Sequence, residues 1–174
     1  HGEPVADRIG PKSYVALQAM LDKGQPKGNY YYWKSEYLAG LSDEAIDTAV
    51  AHAATISSPM TRVLIMQLGG AMSRVDEMAL AASHRDAAFV AAINNGWTDP
   101  AENERQVKWT RDFWQSMRPF SSGGTYVNFL SEGEEPARVR AAYGPEKYER
   151  LVALKNKYDP TNFFHVNQNI QPTV

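Results

Sequence analysis

The sequence predicts an α+β fold, an antiparallel sheet with helices covering one face. Three observations predict it. Segments of strand character and of helical spacing run in the order strand, helix, two or three strands, helix, strand, two helices, without the regular alternation of a doubly wound fold. The 174 residues suffice for one domain with a full core. Hydrophobic residues at 43% and charged residues at 22% are the composition of a globular protein.

Residues 1–28 are rich in Gly and Pro and read as loop and turn, with a short apolar stretch at 14–21. "NYYYWKSEYL" (29–38) is dense in aromatics, which favour a pleated surface, and predicts a strand. "LSDEAIDTAVAHAATI" carries Ala45, Ile46, Ala49, Val50, Ala53 and Ala54 at helical spacing, with Ser42 as N-cap and Asp43 and Glu44 in the first turn. "TRVLIMQLGGAM" (61–72) predicts a buried strand broken at Gly69-Gly70, with a second short strand at 72–76. "RDAAFVAAINNGW" (85–97) is Ala-rich, but its Asn-Asn-Gly ending favours a strand.

Asp99-Pro100-Ala101-Glu102 supplies a cap, a first-turn proline and a carboxylate, opening a helix with Val107, Thr110, Phe113, Trp114 and Met117 on one side. Pro119 ends it. "GGTYVNFL" (123–130) predicts a strand, and "SEGEEPARVRAAYG" a polar loop leading into a short helix. "PEKYERLVALKNKY" (145–158) predicts a helix that Asp159-Pro160 stops. No repeat or low-complexity segment interrupts the chain.

Several function classes lose support at this level. A net charge of −2 makes no electrostatic case for nucleic acid or anionic lipid. No apolar run approaches the ~20 residues of a membrane span, and nothing in the sequence resembles a signal peptide. The expectation is a soluble, cytoplasmic protein, although the absence of cysteine does not fix the compartment. No pair among His1, His52, His84 and His165 has zinc-site spacing, so no metal is expected. "HRD" (84–86) lacks the asparagine of a kinase loop, its place being taken by Ala91, and "LGGAMSR" lacks the Lys-Ser/Thr of a phosphate loop. The carboxylates of 132–135 sit on a loop, where solvation is their expected role. The aromatic set Tyr30, Tyr31, Tyr32, Trp33, Tyr37, Tyr126 and Phe129 is either core or one sheet face turned to a planar ligand.

"YERLVALKNKYDPTNFFHVNQNI" (148–170) resembles the C-terminal signature of berberine-bridge-enzyme-like FAD-linked oxidases: a helix, Asp-Pro, Asn-x-Phe and a final Asn-x-x-Ile. "WKSEYL", "GGAMSRV", "HRDAAF" and "TYVNF" resemble that family's other landmarks, in order. The resemblance implies a substrate-binding portion over 1–130 and a C-terminal segment over 131–174. The N-terminal FAD-binding domain is absent from this chain, in keeping with an abrupt, non-Met start at His1. It implies FAD as cofactor, held mainly by that domain, and a small organic substrate oxidised by hydride transfer to flavin N5 with O2 as acceptor. The chain alone is expected to be inactive and to pair with an FAD-binding domain, a complementary chain or its own copy. The resemblance places Asn128, Asn167 and Asn169 near the flavin, where amides offer donors and acceptors without charge.

Three positions depart from the family pattern. Phe129 stands where many members carry a tyrosine base, Ala91 where plant members often carry a glutamate, and Leu68 where a tyrosine often precedes the glycine pair. With His84 they mark the implied substrate pocket. The base is then Tyr126 or a residue of the absent portion, or the substrate is oxidised with little base assistance, or hydride transfer is weak. Strand alternation would set Tyr126 and Asn128 on one face and Phe129 on the other. A stand-alone α+β ligand-binding or dimerisation module without catalysis is the alternative.

Overall fold

The structure is a computed structural model describing residue 7 and residues 9–131, 134–166 and 168–174. Asn167, one of the expected flavin contacts, lies outside the described residues. In chain order the main elements are α1 (Tyr14–Gln18), β1 (Tyr30–Leu38), α2 (Asp43–Ala53), β2 (Arg62–Gln67) and β3 (Phe89–Trp97). They are followed by α3 (Asn103–Met117), α4 (Pro136–Tyr143) and α5 (Pro145–Tyr158). The strands form one antiparallel sheet in the order β1-β3-β2.

The register sorts the sheet into two faces. One face carries Leu38, Ala91 and Ile93, which pack with Ala45 and Ala49 of α2 and Phe113 and Met117 of α3 as the main core. Asn95 lies on this face with none of its surface exposed. Its Nδ2 is 3.0 Å from the Gln106 carbonyl, Gln106 Oε1 and Thr110 Oγ1, and its Oδ1 accepts from Thr61 Oγ1 at 2.5 Å. One amide thus joins the central strand to α3 and to the entrance of β2. The other face presents the rows Tyr37–Val90–Met66, Ser35–Ala92–Leu64 and Trp33–Asn94–Arg62.

The helices follow their local signals. Ser42 Oγ accepts from Ala45 N–H at 3.2 Å to cap α2, and Asp99 Oδ1 accepts from Ala101 N–H at 2.9 Å where the chain turns into α3. After α5, Asp159 takes the backbone N–H of Phe163 at 2.7 Å and of Phe164 at 3.1 Å, and Lys155 Nζ at 2.5 Å. Those three donors hold its carboxyl below the usual aspartate range, Lys155 first among them. The Asp-Pro-x-Asn-Phe-Phe run is therefore a turn built on one carboxylate.

Five expectations are corrected. β2 is an edge strand with most of its side chains exposed, not a buried one, because its outer edge has no neighbour among the described residues. Residues 72–74 form a single 3-10 turn instead of a second strand. Residues 14–18 are helical, with Ser13 Oγ accepting from Ala16 N–H.

Residues 123–130 form no strand, because Gly123 and Gly124 take φ of 93° and 73°, outside the extended region. The segment instead runs along the free edge of β1 and satisfies it with side chains: Thr125 Oγ1 donates to the Ser35 carbonyl at 3.0 Å and Ser131 Oγ to the Trp33 carbonyl at 2.7 Å. Glu134, from the run expected to be solvated, has a side chain only 3% exposed, ion-paired to Lys34 and to Arg138.

Candidate functional site

On the sheet face opposite α2 and α3, a cavity of about 630 Å3 lies between β1, β3, the end of β2 and the 126–128 turn. Tyr37, Met66 and Val90 form its sheet wall, one from each strand in a single register row. Leu68 and Met72 line it from the segment after β2, and Tyr126 and Asn128 from the turn. His84 and Arg85 come from the loop entering β3. The lining is mainly apolar and aromatic, with a few convergent polar groups, the ordinary make-up of a small-molecule site.

Local geometry fixes the polar groups. His84 has φ of 59°, and its ring stacks on Tyr37 at a centroid distance of 4.9 Å. Its Nε2 donates to the Ala141 carbonyl at 2.9 Å. A Cβ at Gly124 would come within 2.0 Å of that nitrogen, so the glycine that ends any strand here also makes room for the imidazole. Glu77 accepts from the backbone N–H of His84 and of Arg85, each at 3.3 Å, and pairs with Lys147 of α5 at 2.6 Å. Desolvation would raise the Glu77 carboxyl, but Lys147 and the two amides outweigh it and hold the group below its usual range.

Tyr37 is 7% exposed, and its hydroxyl is pushed up to about 12 by burial first, then by Tyr126 and Glu77. At neutral pH it is a donor, not a base. Tyr126 Oη accepts from Asn128 Nδ2 at 2.7 Å, a contact that fixes the hydroxyl's position at the cavity wall. No carboxylate lines the cavity among the described residues.

The structure brings together Leu68, His84, Tyr126 and Asn128 and sets Ala91, Phe129 and Asn169 elsewhere. Ala91 points into the core under α2 and α3, one residue out of phase with Val90. Phe129 turns from the cavity to pack edge-on against Trp33, at 6.0 Å, and Tyr126, at 5.3 Å. Tyr126 and Asn128 therefore do share a side that Phe129 leaves, although a turn and not a strand arranges them. Asn169 lines a separate cleft with Tyr148 and His165. Sequence reasoning missed Val90, Met66, Met72 and Arg85. Tyr37 stood in the aromatic set offered as core or ligand-facing, and alternation from Trp33 through Ser35 puts it on the cavity face. A larger cleft, about 810 Å3, lies beside α3, but its floor is closed by the Lys34–Glu134 and Arg138–Glu36 pairs.

Residues 125–171, which supply Tyr126 and Asn128 and the tail, match the family described as berberine and berberine like. The chain is berberine bridge enzyme-like. An FAD-linked oxidoreductase of Dictyostelium discoideum is 27% identical over 173 residues, covering 98% of this chain and 37% of that protein. Berberine bridge enzyme-like C-1 of Nicotiana tabacum is 30% identical over 173 residues, covering 81% of this chain and 30% of its own length. This berberine bridge enzyme-like chain thus spans about a third of the curated relatives it matches. The solved structure of BBE-like 28 from Arabidopsis thaliana superposes with a TM-score of 0.74 at 20% identity, over 85% of this chain and 35% of that one. That likeness establishes the shared fold. Among the described residues, no helix is long and apolar enough to cross a membrane.

Proposed function

We propose that this chain is the substrate-binding portion of an FAD-dependent oxidoreductase acting on a small organic substrate. In this reading residues 1–130 form the substrate-binding part and 131–174 the C-terminal segment, with the FAD-binding domain supplied by another portion or chain. The observation that carries the proposal is the cavity on the exposed sheet face, walled by Tyr37, Val90 and Met66 and closed by the berberine-like turn at Tyr126.

The residues present fit one side of a flavin. Leu64 and Met66 expose 38% and 37% of their surface on a flat sheet face, suited to a planar ring. Asn94, in the same face, keeps a buried side-chain oxygen that has no partner among the described residues, an acceptor that a group from outside this chain can satisfy. Bound there, FAD supplies hydride acceptance at N5 and delivery of the electrons to O2. The chain's own residues bind the substrate's apolar body against Leu68, Met72 and Val90 and exclude water from it. Tyr37 donates a hydrogen bond to the substrate oxygen. Tyr126 Oη, supported by Asn128, is the atom offered to the substrate proton.

The decisive experiment is an absorbance spectrum of the protein expressed from the whole open reading frame, followed by substrate screening with peroxide detection. The expected result is a flavin band near about 450 nm that bleaches anaerobically with substrate. A colourless protein would overturn the proposal. It would favour the second reading, a non-catalytic binding module, which the absence of a carboxylate from the cavity lining among the described residues supports.

A further inference from the structure

Three basic residues are buried among those described: Lys34, Arg85 and Lys147. Lys34 is paired to Glu134, and Lys147 to Glu77. Arg85, 8% exposed, has no carboxylate within the 4.0 Å of an ion pair among the described residues. Its Nη1 donates to the Met72 carbonyl at 2.9 Å; among the described residues its buried Nε has no partner and its Nη2 makes no hydrogen bond. The acid that touches its backbone, Glu77, is already engaged by two amides and Lys147.

A guanidinium stays charged at every accessible pH, and burying one without a counter-charge is strongly unfavourable. Arg85 bears that cost at the wall of a cavity that is otherwise mostly apolar. The fork of an arginine matches the two oxygens of a carboxylate, and the unengaged Nη2 supplies such a donor.

We propose that this cavity takes a small molecule with an apolar body and a single carboxylate, the carboxylate held by Arg85 and the body by Leu68, Met72 and Val90. The assignment rests on reading the cavity as the substrate pocket, and it narrows the substrate to an amphiphilic carboxylic acid. Arg85 is a binding residue in this scheme and moves no proton.

The test is calorimetric titration of the 174-residue chain, without flavin and at a concentration where light scattering shows it monomeric, with 1-naphthoate, its neutral isostere 1-naphthalenemethanol, and inorganic pyrophosphate. The expected result is that naphthoate binds about ten-fold or more tighter than the alcohol, the increment of a charge-assisted contact. Arg85→Gln should erase that preference, and Arg85→Lys should retain part of it. The wild-type comparison of the isosteric pair decides the matter even if Arg85→Gln fails to fold. Equal affinities, or binding of neither compound, would overturn the proposal. So would pyrophosphate competing out naphthoate, since the anion would then be phosphoryl. Because no flavin enters the measurement, a coloured, substrate-bleached holoprotein with no naphthoate preference would leave the redox reading standing and remove only this one.

Discussion

Burial of a hydroxyl decides what Tyr37 can do. Its raised pKa, about 12, favours the protonated form in the folded chain. The sign follows: this contribution to stability is fully present below the ordinary tyrosine value near 10 and is lost as pH rises through about 12. We expect ultraviolet phenolate titration of the folded chain to show a step near 12 that Tyr37→Phe removes. A variant that keeps that step would assign the shift to another tyrosine. Single residues were also where sequence reading reached least far. His84, Tyr126 and Asn128 could be singled out from the motifs they stand in, but Arg85 could not. Its meaning lies in a missing counter-charge, which only the folded arrangement exposes. Ala91, expected at the pocket from the family pattern, faces the main core, and in a strand one residue exchanges the two faces.

At the level of elements, the helices after α1 are legible because their signals are local: Ser42 and Asp99 cap as their positions predict, and Gly144-Pro145 opens α5. β1 and β3 were legible too, by composition and by their endings. The 123–130 segment was not, since aromatic and β-branched composition favours a strand while two adjacent glycines at positive φ forbid one. Tertiary hydrogen bonding then lets side chains do what a ladder would have done. Asn95 shows how strongly one such contact can tie elements together. It is fully buried with all its polar atoms engaged, so Asn95→Ala leaves Gln106 Oε1 and Thr61 Oγ1 without their partner. We expect that substitution to cost about 2–4 kcal/mol in denaturant unfolding, with an unchanged m-value. A loss under about 0.5 kcal/mol would mean that α3 is held by its apolar contacts alone.

For the molecule as a whole, the distribution of apolar surface is the telling feature. The core lies on one face of the sheet, between it and α2 and α3, while the other side keeps Leu64 and Met66 exposed beside the cavity. The tail adds Phe163, Phe164 and Val166, each about three-quarters exposed at 74%, 75% and 77%. Such groups are ordinary singly, but a sheet face, an uncovered strand edge and an aromatic tail on one small chain are surfaces that normally meet a partner. In the proposed enzyme that partner is the FAD-binding portion. Expressed alone, the chain has only its own copies to offer, so we expect it to self-associate, with a mass by light scattering that rises with concentration. Substituting Leu64 and Met66 together by Lys should restore a monomer without loss of the helical signal, because neither side chain belongs to the main core. A wild-type chain that stays monomeric and monodisperse at high concentration would mean that this surface is adequately solvated as it stands. The exposed face would then be a ligand site in its own right, and the case for a second protein surface against it would fail.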